Sequence, residues 1–231
     1  MREYIMTKTI ALLGATGSIG RQTLEVVREL GISVAALTAH TQVDLLEQQA
    51  RQFMPRLAVL YDPDAARELE GRLRGTGIEV LAGEEGLLAA ASLDEADTVV
   101  TAVMGSVGLR PTLAAIERGK RIALANKETL VCAGTLVMDA AEKFGAEIVP
   151  VDSEHSAIMQ CLNGEKQNKI EKILLTASGG PFFDKEITDD ITPEMALSHP
   201  TWNMGPKVTI DSSTMMNKGF EVIEAKWLFG V

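Results

Sequence analysis

Over roughly the first 150 residues, short runs of aliphatic and β-branched side chains alternate with longer stretches in which apolar residues recur every three to four positions. The short runs fall at 9–13, 33–38, 57–61, 78–81, 98–103, 121–125 and 147–151, and the helical spacing at 21–30, 43–53, 64–74, 109–118 and 135–144. This alternation predicts repeated strand–helix–strand units around a mainly parallel sheet. Gly31, Gly119 and Gly145 follow helical stretches, where C-caps belong. After Pro150 the pattern changes. Residues 170–176 and 207–210 read as strands, joined by a long irregular segment holding Pro181, Pro193, Pro200 and Pro206. Connections of that length inside a compact domain usually carry function.

The first run leads into Gly14-Ala15-Thr16-Gly17-Ser18-Ile19-Gly20 and then a helix. A glycine-rich turn at a helix N-terminus directs backbone amides at a pyrophosphate, as in dinucleotide-binding folds. The expected architecture is therefore α/β: a Rossmann-like, mainly parallel sheet over 1–150, then a smaller α+β catalytic domain over 151–231. Where the second strand ends, Thr38-Ala39-His40-Thr41-Gln42 lacks the acid that would hold the ribose of NAD. That leans toward NADP, although no Arg or Lys stands there either.

Composition narrows the classes. A chain of 231 residues, 46% hydrophobic, can bury the core of one large or two modest domains, which excludes global disorder. Its formal charge of −10, from 32 acidic and 22 basic side chains, disfavours nucleic acid and anionic membranes. Cys132 and Cys161 are too few for a disulfide scaffold or a thiolate zinc site; they are expected to be core thiols in a reducing compartment. No apolar run approaches the ~18 to 20 residues of a membrane span, and no signal-peptide core follows the charged start, so a soluble cytoplasmic protein is expected. Met6 is an alternative start, with Met1 to Ile5 as an extension.

Four clusters carry candidate chemistry. Asp152-Ser153-Glu154 follows the run ending at Val151; on an extended chain both carboxylates face one side, where oxygen ligands suit magnesium or manganese. Ser178-Gly179-Gly180-Pro181 offers a hydroxyl and exposed amides to an anion. From Asp211 to Glu221, hydroxyls, an amide, an ammonium and a carboxylate gather at what reads as a strand-to-helix passage; if Asn217 onward is helical, Asn217 and Lys218 share a face with Glu221. His199 to Pro206, proline-bounded with Trp202 inside, has the composition of a lid. Each has a plain structural counterpart: a solvated acidic turn, a Gly-Gly-Pro turn, a capping serine with a surface Lys–Glu pair, a packed tryptophan.

Together with Ala125-Asn126-Lys127-Glu128, these segments resemble, in order and combination, the 1-deoxy-D-xylulose 5-phosphate reductoisomerase family, and the resemblance covers essentially the whole chain. It implies an NADPH- and divalent-metal-dependent oxidoreductase of non-mevalonate isoprenoid synthesis. Such an enzyme converts a small phosphorylated sugar to 2-C-methyl-D-erythritol 4-phosphate by carbon–carbon cleavage and rejoining, then hydride transfer. It implies that Thr16, Gly17, Ser18, Ile19, Asn126, Glu128 and Gly205 hold NADPH, with Gln42 toward the 2′-phosphate, where the family favours Asn with a small or basic neighbour. Asp152, Glu154 and Glu221 are implied as metal ligands. Lys127, Ser153, Glu154, His199 and Glu221 are implied at the substrate, and Ser178, Ser212, Asn217 and Lys218 at its phosphate or nearby hydroxyls. The family is a homodimer and continues beyond Phe229 into a C-terminal helical domain, so this chain alone is expected to turn over weakly or not at all. Two other readings stay open. A semialdehyde dehydrogenase would need a nucleophilic cysteine, and Cys161 reads as part of a buried helical turn. A nucleotide-binding or dimerising module would bind NADPH without turnover.

Overall fold

A computed structural model describes residues 8–165, 169–202 and 204–231. The Met6 start with its preceding extension, and Asn203 of the expected lid, lie outside them. The chain divides into two compact units, the first running to Val151 and the second from Asp152 to Val231.

The first unit is α/β. Seven strands, β1 Thr9–Leu13, β2 Ser33–Ala39, β3 Leu57–Leu60, β4 Glu79–Ala82, β5 Thr98–Thr101, β6 Arg121–Leu124 and β7 Ile148–Pro150, form one sheet in the order β4-β3-β2-β1-β5-β6-β7. Every pairing is parallel, so each connection must cross over the sheet, and helices supply the crossovers. These are α1 Ser18–Leu30, α2 Val43–Phe53, α3 Pro63–Arg72, α4 Gly83–Ser92, α5 Leu109–Glu117 and α6 Lys127–Phe144. Because helices cover both faces, the central strands are buried along nearly their whole length rather than on alternate residues. Leu12, Leu37 and Leu60 of the sheet are fully buried, with Leu46 of α2 and Leu69 of α3 packed among them.

Chain direction across the sheet reverses between β1 and β5, the place where open parallel sheets bind ligands. Gly14 ends β1 at that point with φ +92°, and a Cβ there would stand 2.5 Å from the carbonyl oxygen of Ala102. A Cβ on Gly20 would stand 2.1 Å from the Gly14 carbonyl oxygen. Only glycine lets the turn, α1 and the β5 end approach this closely. At the far end of α4, the buried Lys120 donates from Nζ to the carbonyls of Leu93, 2.6 Å away, and Ala96, closing a helix terminus that favours positive charge. Burial pushes the Lys120 ammonium pKa down.

Among the described residues the second unit is helical: α7 Ser153–Leu162, α8 Pro193–Ala196, α9 Pro206–Ser213 and α10 Met216–Phe229. Both strand expectations fail here. Residues 170–176 have no regular structure and leave Leu174 76% exposed. β-propensity expresses fit to a pleated, half-buried surface, and no strand among the described residues of this unit offers one. Residues 207–210 lie inside α9, where Pro206 takes the first helical position and Lys207 pairs with Asp211 one turn on at 2.7 Å. Cys132 and Cys161, expected in the core, are both exposed. Among the described residues no helix is long and apolar enough to cross a membrane.

Candidate metal and cofactor sites

Asp152, Glu154 and Glu221 come together. Each presents a carboxylate oxygen, and the three oxygens lie within 4.8 Å of one another. The route differs from the one the sequence suggested. Asp152 is the N-cap of α7, its Oδ1 accepting from the Glu154 amide at 3.1 Å, so Glu154 joins it through the first helical turn and not through strand alternation. Glu221 comes from α10, 1% exposed. Three oxygen donors at this separation, one of them buried, match the hard-donor set that magnesium or manganese prefers.

Their surroundings are polar and specific. Ser153 Oγ donates to Glu154 Oε2 at 2.7 Å. Asn217 Nδ2 donates to Glu221 Oε1 at 2.5 Å, Lys218 Nζ reaches Glu154 Oε1 at 3.0 Å, and Lys218 also pairs with Glu221 Oε2. Burial acts to lower the Lys218 pKa, but Glu221 and Glu154 outweigh it and the net shift is upward. Helicity from Met216 does put Asn217 and Lys218 on the face of Glu221, although the passage into α10 starts from helix α9 and not from a strand. Glu154, Ser178, Gly179, Ser212, Asn217 and Lys218 line a common cleft. His199 joins through Ser178: its Nε2 lies 3.2 Å from Ser178 Oγ, while Nδ1 accepts from the Thr201 and Trp202 amides at 3.2 and 3.0 Å. Nδ1 therefore carries no proton, and Nε2 is the donor toward Ser178. Trp202 is 61% exposed, not a core residue.

His155 belongs to the cluster and went unnoticed in the sequence. It is fully buried, with Nε2 2.9 Å from the backbone carbonyl of Glu221 and Nδ1 3.3 Å from Asp152 Oδ1. Burial lowers its pKa, but Asp152, the Glu221 carbonyl and Glu224 together hold it above the ordinary imidazole range. The legible signal was its place three residues after the capping aspartate, which returns it to the same helix face.

In the first unit, Gly17 is the N-cap of α1 and makes no side-chain cap hydrogen bond, while Gly17, Ser18 and Ile19 are exposed and Thr16 is half-buried. Two residues beyond the motif hold this turn. Thr38 Oγ1 accepts from the Gly14 amide at 3.1 Å, and the buried Gln49 of α2 donates to the Ala15 carbonyl at 3.0 Å. Gln42 is exposed at the N-cap of α2. Asn126 is the N-cap of α6: Oδ1 accepts from the Thr129 amide at 2.9 Å, and Nδ2 donates to Val103 O at 2.8 Å, Gly105 O at 3.0 Å and Glu128 Oε2 at 3.2 Å. Its side chain thus fixes the start of α6, on whose first turn Lys127 and Glu128 stand half-buried. Gly205 is the N-cap of α9, its carbonyl accepting from Thr209 at 3.1 Å.

A family model described as 1-deoxy-D-xylulose 5-phosphate reductoisomerase matches residues 10–134, and one for the C-terminal domain of that enzyme matches 148–229. The chain belongs to this family. The reductoisomerase of Ruminiclostridium cellulolyticum is 58% identical over 226 residues, 97% of this chain and 59% of the relative. That of Heliobacterium modesticaldum is 57% identical over 232 residues, 98% of this chain and 59% of the relative. The chain thus spans about three fifths of the length of these reductoisomerases. Among solved structures, a DOX-P reductoisomerase in complex with NADPH, fosmidomycin and magnesium superposes with TM-score 0.90 at 44% identity, over 97% of this chain and 59% of the other. The Zymomonas mobilis reductoisomerase in complex with NADPH gives 0.89 at 44% identity, over the same shares.

Proposed function

We propose that the chain carries the cofactor-binding and metal-binding parts of an NADPH-dependent reductoisomerase that converts 1-deoxy-D-xylulose 5-phosphate to 2-C-methyl-D-erythritol 4-phosphate. The observation that carries this reading is the convergence of Asp152, Glu154 and Glu221 beside a cleft lined by Ser178, Ser212, Asn217 and Lys218. Membership of the family, and relatives solved with NADPH and with magnesium, support it.

In this reading the amides of Thr16 to Ile19 at the start of α1 hold the cofactor pyrophosphate, where the helix dipole favours negative charge. Gln42, at the N-cap of α2, stands toward the 2′-phosphate, at the end of a stretch, 38–42, that holds no carboxylate. Asn126, whose side chain fixes the start of α6, and Glu128 on its first turn are assigned to the cofactor, and Lys127 to the substrate. Gly205, the N-cap of α9, is assigned to the cofactor as well. Asp152, Glu154 and Glu221 hold magnesium or manganese, and the bound cation supplies Lewis-acid polarisation of the substrate's ketone and hydroxyl oxygens. Ser153, Glu154, His199 and Glu221 surround the reacting carbons. Ser178, Ser212, Asn217 and Lys218 bind the phosphate, whose remote binding energy orients the reacting end. The segment carrying His199 and Trp202 closes to exclude water. Self-association of a homodimer and residence in the cytoplasm belong to the same proposal.

The test is spectrophotometric NADPH oxidation with deoxyxylulose phosphate and manganese, on the chain as it stands and on a version extended at its C-terminus to the length of the relatives. The extended protein is expected to oxidise NADPH until a chelator is added. NADPH oxidation unaffected by chelator would overturn the metal part, and its absence from the extended protein the whole.

A further inference from the structure

The two side chains assigned to the substrate phosphate are bonded to the carboxylates assigned to the metal. Asn217 Nδ2 and Lys218 Nζ take the two oxygens of Glu221 between them, and Lys218 also holds Glu154 at 3.0 Å. Lys218 has 15% of its side chain exposed and Glu221 1%, so these contacts sit largely out of solvent, where charges interact strongly. A divalent cation and this ammonium compete for the same lone pairs and repel each other at short range. A buried carboxylate stripped of both would be costly. A phosphate dianion in the cleft beside Ser178 and Ser212 offers Asn217 and Lys218 another acceptor on the wall they already occupy.

Building on the proposed function, we propose that Asn217 and Lys218 couple phosphate to metal: by exchanging Glu221 and Glu154 for a phosphate group they open the carboxylates to the cation, so each ligand raises the affinity for the other. The coupling is reciprocal by linkage. It strengthens metal binding when a phosphorylated molecule is present, so that Lewis acidity rises as the substrate arrives.

The experiment measures free manganese by electron paramagnetic resonance during titration of the chain, with and without saturating inorganic phosphate, correcting for manganese–phosphate pairing in buffer. In the wild type, phosphate is expected to lower the manganese Kd by roughly tenfold, within the usual span of allosteric couplings. Lys218→Met, which keeps the aliphatic stem, should bind manganese more tightly than wild type without phosphate and lose the phosphate response; Asn217→Ala should move the same way by less. Circular dichroism checks that both variants are folded. Wild-type binding indifferent to phosphate, or a folded Lys218→Met no tighter than wild type, overturns the coupling. If manganese binds and Glu154→Gln abolishes it while phosphate changes nothing, the metal site stands and only the coupling fails. Wild type that binds no manganese under either condition overturns both.

Discussion

His155 Nε2 donates to the backbone carbonyl of Glu221 at 2.9 Å while its Nδ1 stands 3.3 Å from Asp152 Oδ1. One buried imidazole thus ties α7, which brings Asp152 and Glu154, to α10, which brings Glu221. Groups that orient metal ligands typically change affinity by about 10- to 100-fold when lost. His155→Phe, which keeps the ring volume but removes the donor, is expected to weaken manganese binding by an amount in that range. His155→Gln, which keeps an N–H, should recover part of it. Unaltered affinity in a folded His155→Phe protein would show that the two helices are held in register by other contacts.

The glycine turn makes an equally specific prediction. A methyl group on Gly20 falls 2.1 Å from the Gly14 carbonyl oxygen, a backbone atom with nowhere to move. Gly20→Ala is expected to cost about 1 to 3 kcal/mol of stability, as overpacking does, and to weaken NADPH binding. Thermal unfolding and NADPH fluorescence titration check the two effects separately.

How much of this was legible in the sequence differs between the units. In the first, apolar runs and capping glycines agreed with each other, and β1 and α2 begin and end where the periodicity put them. Helix α4 was missed because its Leu-Leu-Ala-Ala-Ala core carries little helical alternation. In the second unit, local preference misled. Residues 170–176 are rich in strand formers, yet a strand exists only with a neighbour to pair with. Pro206 marked a helix start that went unread. Residue type and spacing paired Asp152 with Glu154 and put Glu221 on a face with Asn217 and Lys218, and the family resemblance joined the three; their means of convergence, a helix cap at Asp152, was not legible. His155 escaped notice because its role depends on a carbonyl 66 residues away in the chain.

Exposure of both cysteines changes what labelling can decide. Alkylation of Cys161 does not by itself discriminate a nucleophilic cysteine from a surface thiol, since the side chain is accessible in the fold. Two thiols per chain are expected to react without denaturant. Cys161 lies nine residues along α7 from Asp152, about 13 Å at the rise of an α-helix. Modifying it should leave manganese binding unchanged, which titration of the alkylated protein would check.

Lys120 gives a pH dependence. Its folded pKa is lowered by burial, so the unfolded chain holds the proton more tightly and stability rises with pH between the folded value and the ordinary 10.5. Relative to Lys120→Met, the wild type should therefore gain stability as pH climbs through that window. Denaturant midpoints of both proteins, measured at several alkaline pH values, give the difference; a gap that stays flat contradicts the burial of a charged ammonium.

Whether Asp152, Glu154 and Glu221 form one cation site is decided by stoichiometric manganese titration of the wild type and of Glu221→Gln. One manganese per wild-type chain is expected and, for the folded variant, an affinity lower by at least about tenfold, the scale of losing a charged ligand. Equal affinities for the two proteins would contradict a single shared site.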